Sequence, residues 1–430
     1  MKTKQTTFLL LILIIIFSCN KKNTKISNPK DYELYLTSTD RKSLDFVNYE
    51  IDFWQKKIDL APDQFSYLNK LASNYSSLFE LTANLDYLLK AEKLLIQSND
   101  ALKYTSVGSI NSLARNYISQ HQFREALALA KRSEKIGGEK VETQKLLFDV
   151  QMELGNYEEA RKSLIAIKDF KNFDFLIRDA KWNDHRGDLD TAIDMMEKAS
   201  KIAVDNNSKT LMVWTYSNLG DMYGHSGKIK ESYEYYLKAL KVEPEHSYSL
   251  KGIAWIVFSH EKNTKEAKRI IEAVSKKHNS PDFYLIKSQI AEFEKDTVSK
   301  ERYLQQYFKM LETKNYGVMY NKYNALLFAD KQNTVNKALE IAKIEVEHRP
   351  TPDSYDLLAW SYFKLGYKKK ALEIANKYIR DKTYEPVPSY HLAEIYKANN
   401  LKQISDKIKE ELINSQFELG PNMMKKIQML

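Results

Sequence analysis

The order Tyr216-x2-Leu219-Gly220-x2-Tyr223, then Ser232-x3-Tyr236-x2-Ala239, then Pro244, returns 139 residues later as Tyr355-x2-Leu358-Ala359-x2-Tyr362, Gly366 and Ala371-x3-Ala375-x2-Tyr378. Four periods of ~34 residues fit that separation with a few residues over. A chain that repeats itself at this period does not close one central core. Each copy is a small unit that leaves its apolar face open until a neighbour stacks on it. Composition says what the unit is made of. Twelve glycines and nine prolines in 430 residues are less than half the usual share of ~12%, so the chain lacks the material for turn-rich β architectures. With 43% hydrophobic and 12% aromatic residues it can still bury a large core, which excludes global disorder. The predicted fold class is all-α, an α-solenoid.

The spacing has a mechanical cause. Small residues at Gly220, Ala359 and Ala371 let two antiparallel helices cross closely, at the short end of the ~8–10 Å range, while large residues beside them fill the groove. A proline after the second helix has no amide proton to prolong it, so the chain turns into the next pair. The pattern resembles the tetratricopeptide repeat (TPR) signature Trp-x2-Leu-Gly-x2-Tyr…Ala-x3-Phe…Pro, with Tyr216 for the Trp and Ser232 for the Ala. Weaker copies share the register: Leu68, Leu71, Ala72, Tyr75, Leu88 and Ala91, with Asn84 where Ala is usual; Ile110, Leu113, Ala114, Tyr117 and Ala126; turns at Gly155 and Gly187; Leu250, Ile253, Ala254 and Ala267; Ala338 to Pro350; and Leu392, Ala393 and Tyr396. The stretch from Pro281 to Met310 keeps helical periodicity but few signature residues, so the number of repeats between 281 and 335 stays open. The resemblance implies a superhelix of about ten helix pairs over residues 63–415. Residues 40–62, with Leu44, Val47, Ile51, Trp54 and Ile58 at helical spacing, form a capping helix, and residues 416–430 a C-terminal cap or tail.

The N-terminus carries a separate signal. Lys2 and Lys4 precede an unbroken apolar run from Phe8 to Phe17, followed by Ser18 and Cys19, the order of a secretory signal peptide. Ten apolar residues reach only ~15 Å as a helix, half of a ~30 Å hydrocarbon core. Ile16-Phe17-Ser18-Cys19 resembles the lipobox of bacterial lipoproteins, Phe17 replacing the usual small residue. The resemblance implies removal of residues 1–18 and attachment of palmitate-type acyl chains to Cys19, the only cysteine of the chain. Several chains at ~0.8 kcal/mol per buried CH₂ anchor a protein stably. Residues 19–39 then form the lipidated start and a flexible tether, polar and basic through Lys30. The location expected is the bacterial outer membrane, on the periplasmic face, because Lys21-Lys22-Asn23 lacks the acidic residues usual in surface-exported lipoproteins. Nucleic acid is not an expected partner of an exported chain, despite a net charge of +9.

In TPR superhelices the first helices line a concave inner face. Carrying that register over places Trp214, Ser217, Asp221, Gly224 and His225 on it, then Tyr248, Lys251, Trp255, Phe258 and Ser259, then Asp353, Asp356, Trp360, Phe363 and Lys364. The early copies offer smaller polar groups such as Ser66, Asn69, Asn111 and Arg115. Candidate ligand-binding residues are Trp214, Asp221, His225, Tyr248, Lys251, Trp255, Phe258, Asp356, Trp360 and Phe363. Rings with a few charges suit extended peptides, each ring offering apolar area at low entropic cost while charges set register. The same residues at helical spacing also suit plain packing between neighbouring helices.

Catalytic chemistry has no support. No phosphate-cradling glycine loop, Gly-x-Ser-x-Gly or His-Glu-x-x-His occurs, and no two of the eight histidines stand three or four apart. Neither a cofactor nor a metal is expected, and no enzyme activity. The sequence points to a lipid-anchored scaffold or adaptor for a protein or peptide partner of the cell envelope. Capture of glycans, as in SusD-like lipoproteins that also use TPR helices, and a ligand-free spacer are the alternatives.

Overall fold

The structure is a computed structural model, and it describes residues 25–430. The signal sequence and Cys19 lie outside the described residues. Among the described residues the chain is helical throughout, in 23 helices. After α1 (Pro29–Thr37) and α2 (Lys42–Leu60) come ten antiparallel pairs. These are α3 (Ser66–Thr82) with α4 (Leu85–Ala101), α5 (Val107–Ser119) with α6 (Phe123–Ile136), α7 (Lys140–Glu153) with α8 (Tyr157–Ala166), and α9 (Phe173–His185) with α10 (Leu189–Asp205). The middle of the stack is α11 (Lys209–His225) with α12 (Ile229–Val242), α13 (Ser247–Ser259) with α14 (Thr264–Ser275), and α15 (Asp282–Phe293) with α16 (Thr297–Thr313). Then follow α17 (Asn321–Ala329) with α18 (Val335–His348), α19 (Pro352–Lys364) with α20 (Lys368–Tyr378), and α21 (Pro386–Ala398) with α22 (Lys402–Leu412). The chain ends in α23 (Gln416–Met429). The all-α solenoid of about ten pairs is therefore the observed architecture.

The strongest repeat shows why its small residues are small. Tyr236 of α12 is fully buried, and its ring lies where a Cβ on Gly220 would approach to 2.5 Å and one on Gly252 to 2.4 Å. One tyrosine thus wedges between two first helices, and glycine on each is what admits it. Ser232 closes the crossing by donating its hydroxyl to the Gly220 carbonyl at 2.6 Å. The turn after α11 places Gly227 at φ +75°, with the Lys228 amide donating to the Tyr223 carbonyl at 2.9 Å, the left-handed closure that suits glycine. His121, Lys262, Lys295 and Asn400 hold the equivalent left-handed position in other pairs, so the turn survives where its usual residue is missing.

Two register assignments change. Asn84 is not inside a second helix; it is the N-cap of α4, its side chain accepting from the Asp86 amide at 3.2 Å, so Leu88 takes the position that Ala126 and Ala160 hold in α6 and α8. The region from Pro281 is a regular pair, α15 and α16, in which Lys300 stands at that alanine position and bonds Glu292 at 3.2 Å.

The tether also changes. Residues 26–37 fold back on the outer side of the stack. The Ile26 and Ser27 amides donate to Glu261 at 2.8 and 2.6 Å, the Tyr32 hydroxyl donates to Glu266 at 2.8 Å, and Arg269 bonds Glu33 at 2.8 Å. Tyr32 and Leu36 join the core of α12 to α14. A flexible tether therefore does not extend to residue 39.

The superhelix closes on itself. Pair α5–α6 meets pair α17–α18, six pairs further on, where Arg124 donates to the His348 carbonyl at 3.1 Å. Arg349 reaches Glu153 at 3.3 Å, bonds Glu345 at 3.1 Å, and lies over the Phe123 ring. The Asn279 amide donates to the Thr82 carbonyl at 2.8 Å, and Leu85 and Leu88 share a core with Tyr316. Successive turns touch, so the inner face is a narrow channel.

Candidate functional site: the inner groove

The first helices of the pairs line this channel, and its two ends differ. Along α5, α7 and α9 the inward charges are paired between neighbours. Arg115 bonds Glu142 at 3.2 Å, Lys145 bonds Glu142 at 2.5 Å and Asp174 at 2.6 Å, Arg178 bonds Asp149 at 2.6 Å, and Lys181 bonds Glu153 at 2.9 Å. Most of these pairs join residues 27–29 apart, one short repeat. That recurrence of opposite charges is the sequence signal that marks them.

From α11 to α17 the groove is aromatic. Trp214 is 40% exposed, its ring edge-on to Phe173 at 6.3 Å, and Tyr248 is 45% exposed. Asp221 accepts from the Tyr236 hydroxyl at 2.5 Å and from the Tyr248 hydroxyl at 2.7 Å. Burial raises the Asp221 carboxyl above its ordinary value, and the two hydroxyls pull it back. Lys251 lies over the Tyr248 ring, 4.8 Å from its centroid, and bonds Asp282 at 3.4 Å. Asp221, Tyr248 and Lys251 thus form one connected group.

The other candidates are spent on packing. Phe258 is 1% exposed, edge-on to Trp255 and to Phe293. Asp356 is buried and 2.8 Å from His391 Nδ1. Trp360 stacks on that histidine at 3.9 Å, and Phe363 stacks on Trp360 at 5.2 Å. The structure brings Trp214, Asp221, Tyr248, Lys251 and Trp255 to one stretch of groove and sets Asp356, Trp360 and Phe363 apart from it, beneath α21.

That stretch is not empty. The tail does more than cap the last pair, because α23 packs against α11, α13, α15 and α21, first helices that line the channel. Trp255 donates its indole N–H to the Phe417 carbonyl at 2.7 Å. The Phe417 ring covers Gly224, where a Cβ would approach to 2.3 Å, and faces His225 at 5.9 Å. Gly420, at φ +68° and ψ 172°, breaks the helix beside Trp255; a Cβ there would stand 2.9 Å from the indole. Beyond the break Asn422 donates to the Gln289 carbonyl at 2.7 Å, and Lys425 lies over the Phe293 ring. Beside the segment a cavity of about 390 Å³ stays open, lined by Lys251, Asp282, Tyr323 and Leu326 among others.

Glu418 sits near Glu385, Asp184 and Lys322. Burial, then the neighbouring Glu385 carboxylate and Asp184, push its carboxyl up to about 8, with Lys322 pulling the other way. Burial and Asp353 raise Glu385 too. Burial lowers the Lys322 ammonium, but Asp353 and Glu385 outweigh it and hold the group above its ordinary value. Among the described residues no grouping of His, Cys, Asp and Glu could hold a metal ion, and no helix is long and apolar enough to cross a membrane.

The tetratricopeptide repeat family matches residues 215–246 and 352–380, the two copies in which the pattern is clearest. No curated protein matches the chain. Among solved structures, the PilF protein of Pseudomonas aeruginosa is 14% identical over 49% of this chain and 94% of its own, with a TM-score of 0.37. Human IFIT1 is 13% identical over 73% of this chain and 71% of its own, with a TM-score of 0.46. A tetratricopeptide repeat protein from Parabacteroides merdae is 16% identical over 60% of this chain and 97% of its own, with a TM-score of 0.36. The chain thus carries two repeats that match the tetratricopeptide repeat family, set in an all-α, TPR-like solenoid.

Proposed function

We propose that the protein is a non-enzymatic scaffold that takes a segment of a protein or peptide partner into its inner groove, and that a lipid on Cys19 holds it at the bacterial outer membrane, facing the periplasm. One observation carries the binding half. The groove already holds a main chain, with the Trp255 indole donating to a backbone carbonyl at 2.7 Å. A donor aimed at main chain, set among exposed rings, suits peptide rather than any one side chain. Tyr248 and Lys251 remain accessible beside it. The lipobox-like Ile16-Phe17-Ser18-Cys19 supports the membrane half.

The test is crosslinked recovery of partners from native membranes, with wild type beside Tyr248→Ala, Lys251→Ala and the pair combined. The reading expects one partner set, recovered at least several-fold less with the double variant. An unchanged set would overturn the groove assignment, and a mature N-terminus bearing an unmodified Cys19 in mass spectrometry would overturn the anchor.

A further inference from the structure

The end of the chain lies in the groove as a ligand would. A terminal cap needs only an apolar face against the last pair, and the later part of α23 supplies one, with Ile427 and Leu430 in the core beside Leu412 and Ala393. Residues 416–422 go beyond that. Leu419 still packs in the core of the last pair, but the segment also reaches between α11 and α13 and is held there by bonds in which one partner is main chain: Trp255 to the Phe417 carbonyl, Asn422 to the Gln289 carbonyl, and Gln416 to the Ser259 carbonyl at 3.4 Å. The helix is broken at Gly420-Pro421 to do this.

The fit is specific on both sides. Gly224 leaves room for a ring at the position of Phe417, and Trp255 stands where a Cβ on Gly420, three residues further on, would be, at a φ of +68° that also favours glycine. Against this fit stands Glu418, among Glu385 of the α20–α21 connection and Asp184 of α9, with Lys322 of α17 as the nearby cation. Carboxylates crowded together oppose docking once they ionise, a poor choice for a permanent plug.

We propose that residues 416–422 are a built-in occupant of the peptide groove, and that the partner displaces them with a segment of the same chemistry, an aromatic residue three positions ahead of a Gly-Pro turn. This rests on the peptide-groove reading. Closing and opening are then one competition: the tethered copy holds the site by its high local concentration, and a partner must bind better or arrive tethered itself.

The experiment uses a fluorescent synthetic peptide of residues 414–425 and the full chain. Phe417→Ala in the chain frees the groove, so the peptide binds that variant at least tenfold more tightly than wild type. Adding Trp255→Ala abolishes the gain, and a peptide with alanine in place of Gly420 binds at least tenfold more weakly. Should Phe417→Ala not fold, Gln416→Ala with Asn422→Ala removes two bonds and no buried apolar side chain and serves the same comparison. Equal binding to wild type and a folded release variant overturns self-occupancy while leaving the groove reading intact. No binding to any folded release variant overturns both.

Discussion

Tyr236 places the same demand on two residues, and both must be glycine. Its ring fills the space beside Gly220 and Gly252 at distances no Cβ tolerates, while its hydroxyl is fixed on Asp221. Gly220→Ala should therefore destabilise the chain by about 1–3 kcal/mol through overpacking, read as a lower urea midpoint, and Gly252→Ala should do the same. Glycine in a helix usually costs stability relative to alanine, so a neutral or stabilising outcome would mean that the ring moves aside freely. Glu418 carries a second prediction. A free carboxyl of this kind titrates at ~4.3 and the docked one at about 8, so the docked form holds a proton that the released form gives up. Docking is then fully supported below ~4.3 and lost as pH rises through about 8. Proteolysis within residues 413–422 should speed up between pH 5 and 8, and Glu418→Gln should remove most of that rise. At this scale the sequence showed Gly220, Trp255 and Tyr248 through the repeat register. It could not show that Asp356 and Trp360 are taken by His391, because that histidine belongs to the next pair and has no place in the signature.

At the scale of helices and turns, the strong copies were legible because their turns carry glycine and their crossings carry small residues. The weak ones depart from one or both rules, α15–α16 from both, with Lys295 at the turn and Lys300 at the crossing. His121, Lys262 and Lys295 take the left-handed turn position at φ 58° to 63°, a conformation that costs a side chain ~1 kcal/mol or more. Lys295→Gly should accordingly stabilise the chain by about 0.5–1 kcal/mol, seen as a higher melting temperature, whereas Gly227→Lys should lower it. The folded stretch 26–37 was missed because its composition is polar, and what orders it is distant: Glu261 alone receives two backbone amides and the Ser27 hydroxyl. Glu261→Ala leaves two part-buried amides without their partner, at up to about 1–3 kcal/mol each. Limited proteolysis should then release residues 25–37 while the repeats stay intact.

The whole molecule is a spring held shut by contacts between its turns. Repeat proteins owe their stability to neighbours along the stack, but here Arg124 and Arg349 tie pairs that are six apart. Arg124→Ala with Arg349→Ala should leave helical content unchanged and open the coil, raising the radius of gyration in small-angle scattering. The period announced a solenoid. Its pitch, which decides whether the groove is wide or narrow and whether a chain end can cross it, depends on small rotations accumulated over ten pairs and leaves no mark in any one repeat. Deuterium exchange on the full chain tests the central claim, that a peptide groove is filled by a segment able to leave it. The account predicts that amides of residues 417–422 exchange through local opening, well ahead of residues 253–258 in α13 beneath them. Exchange of both segments together, only on global unfolding, would contradict it.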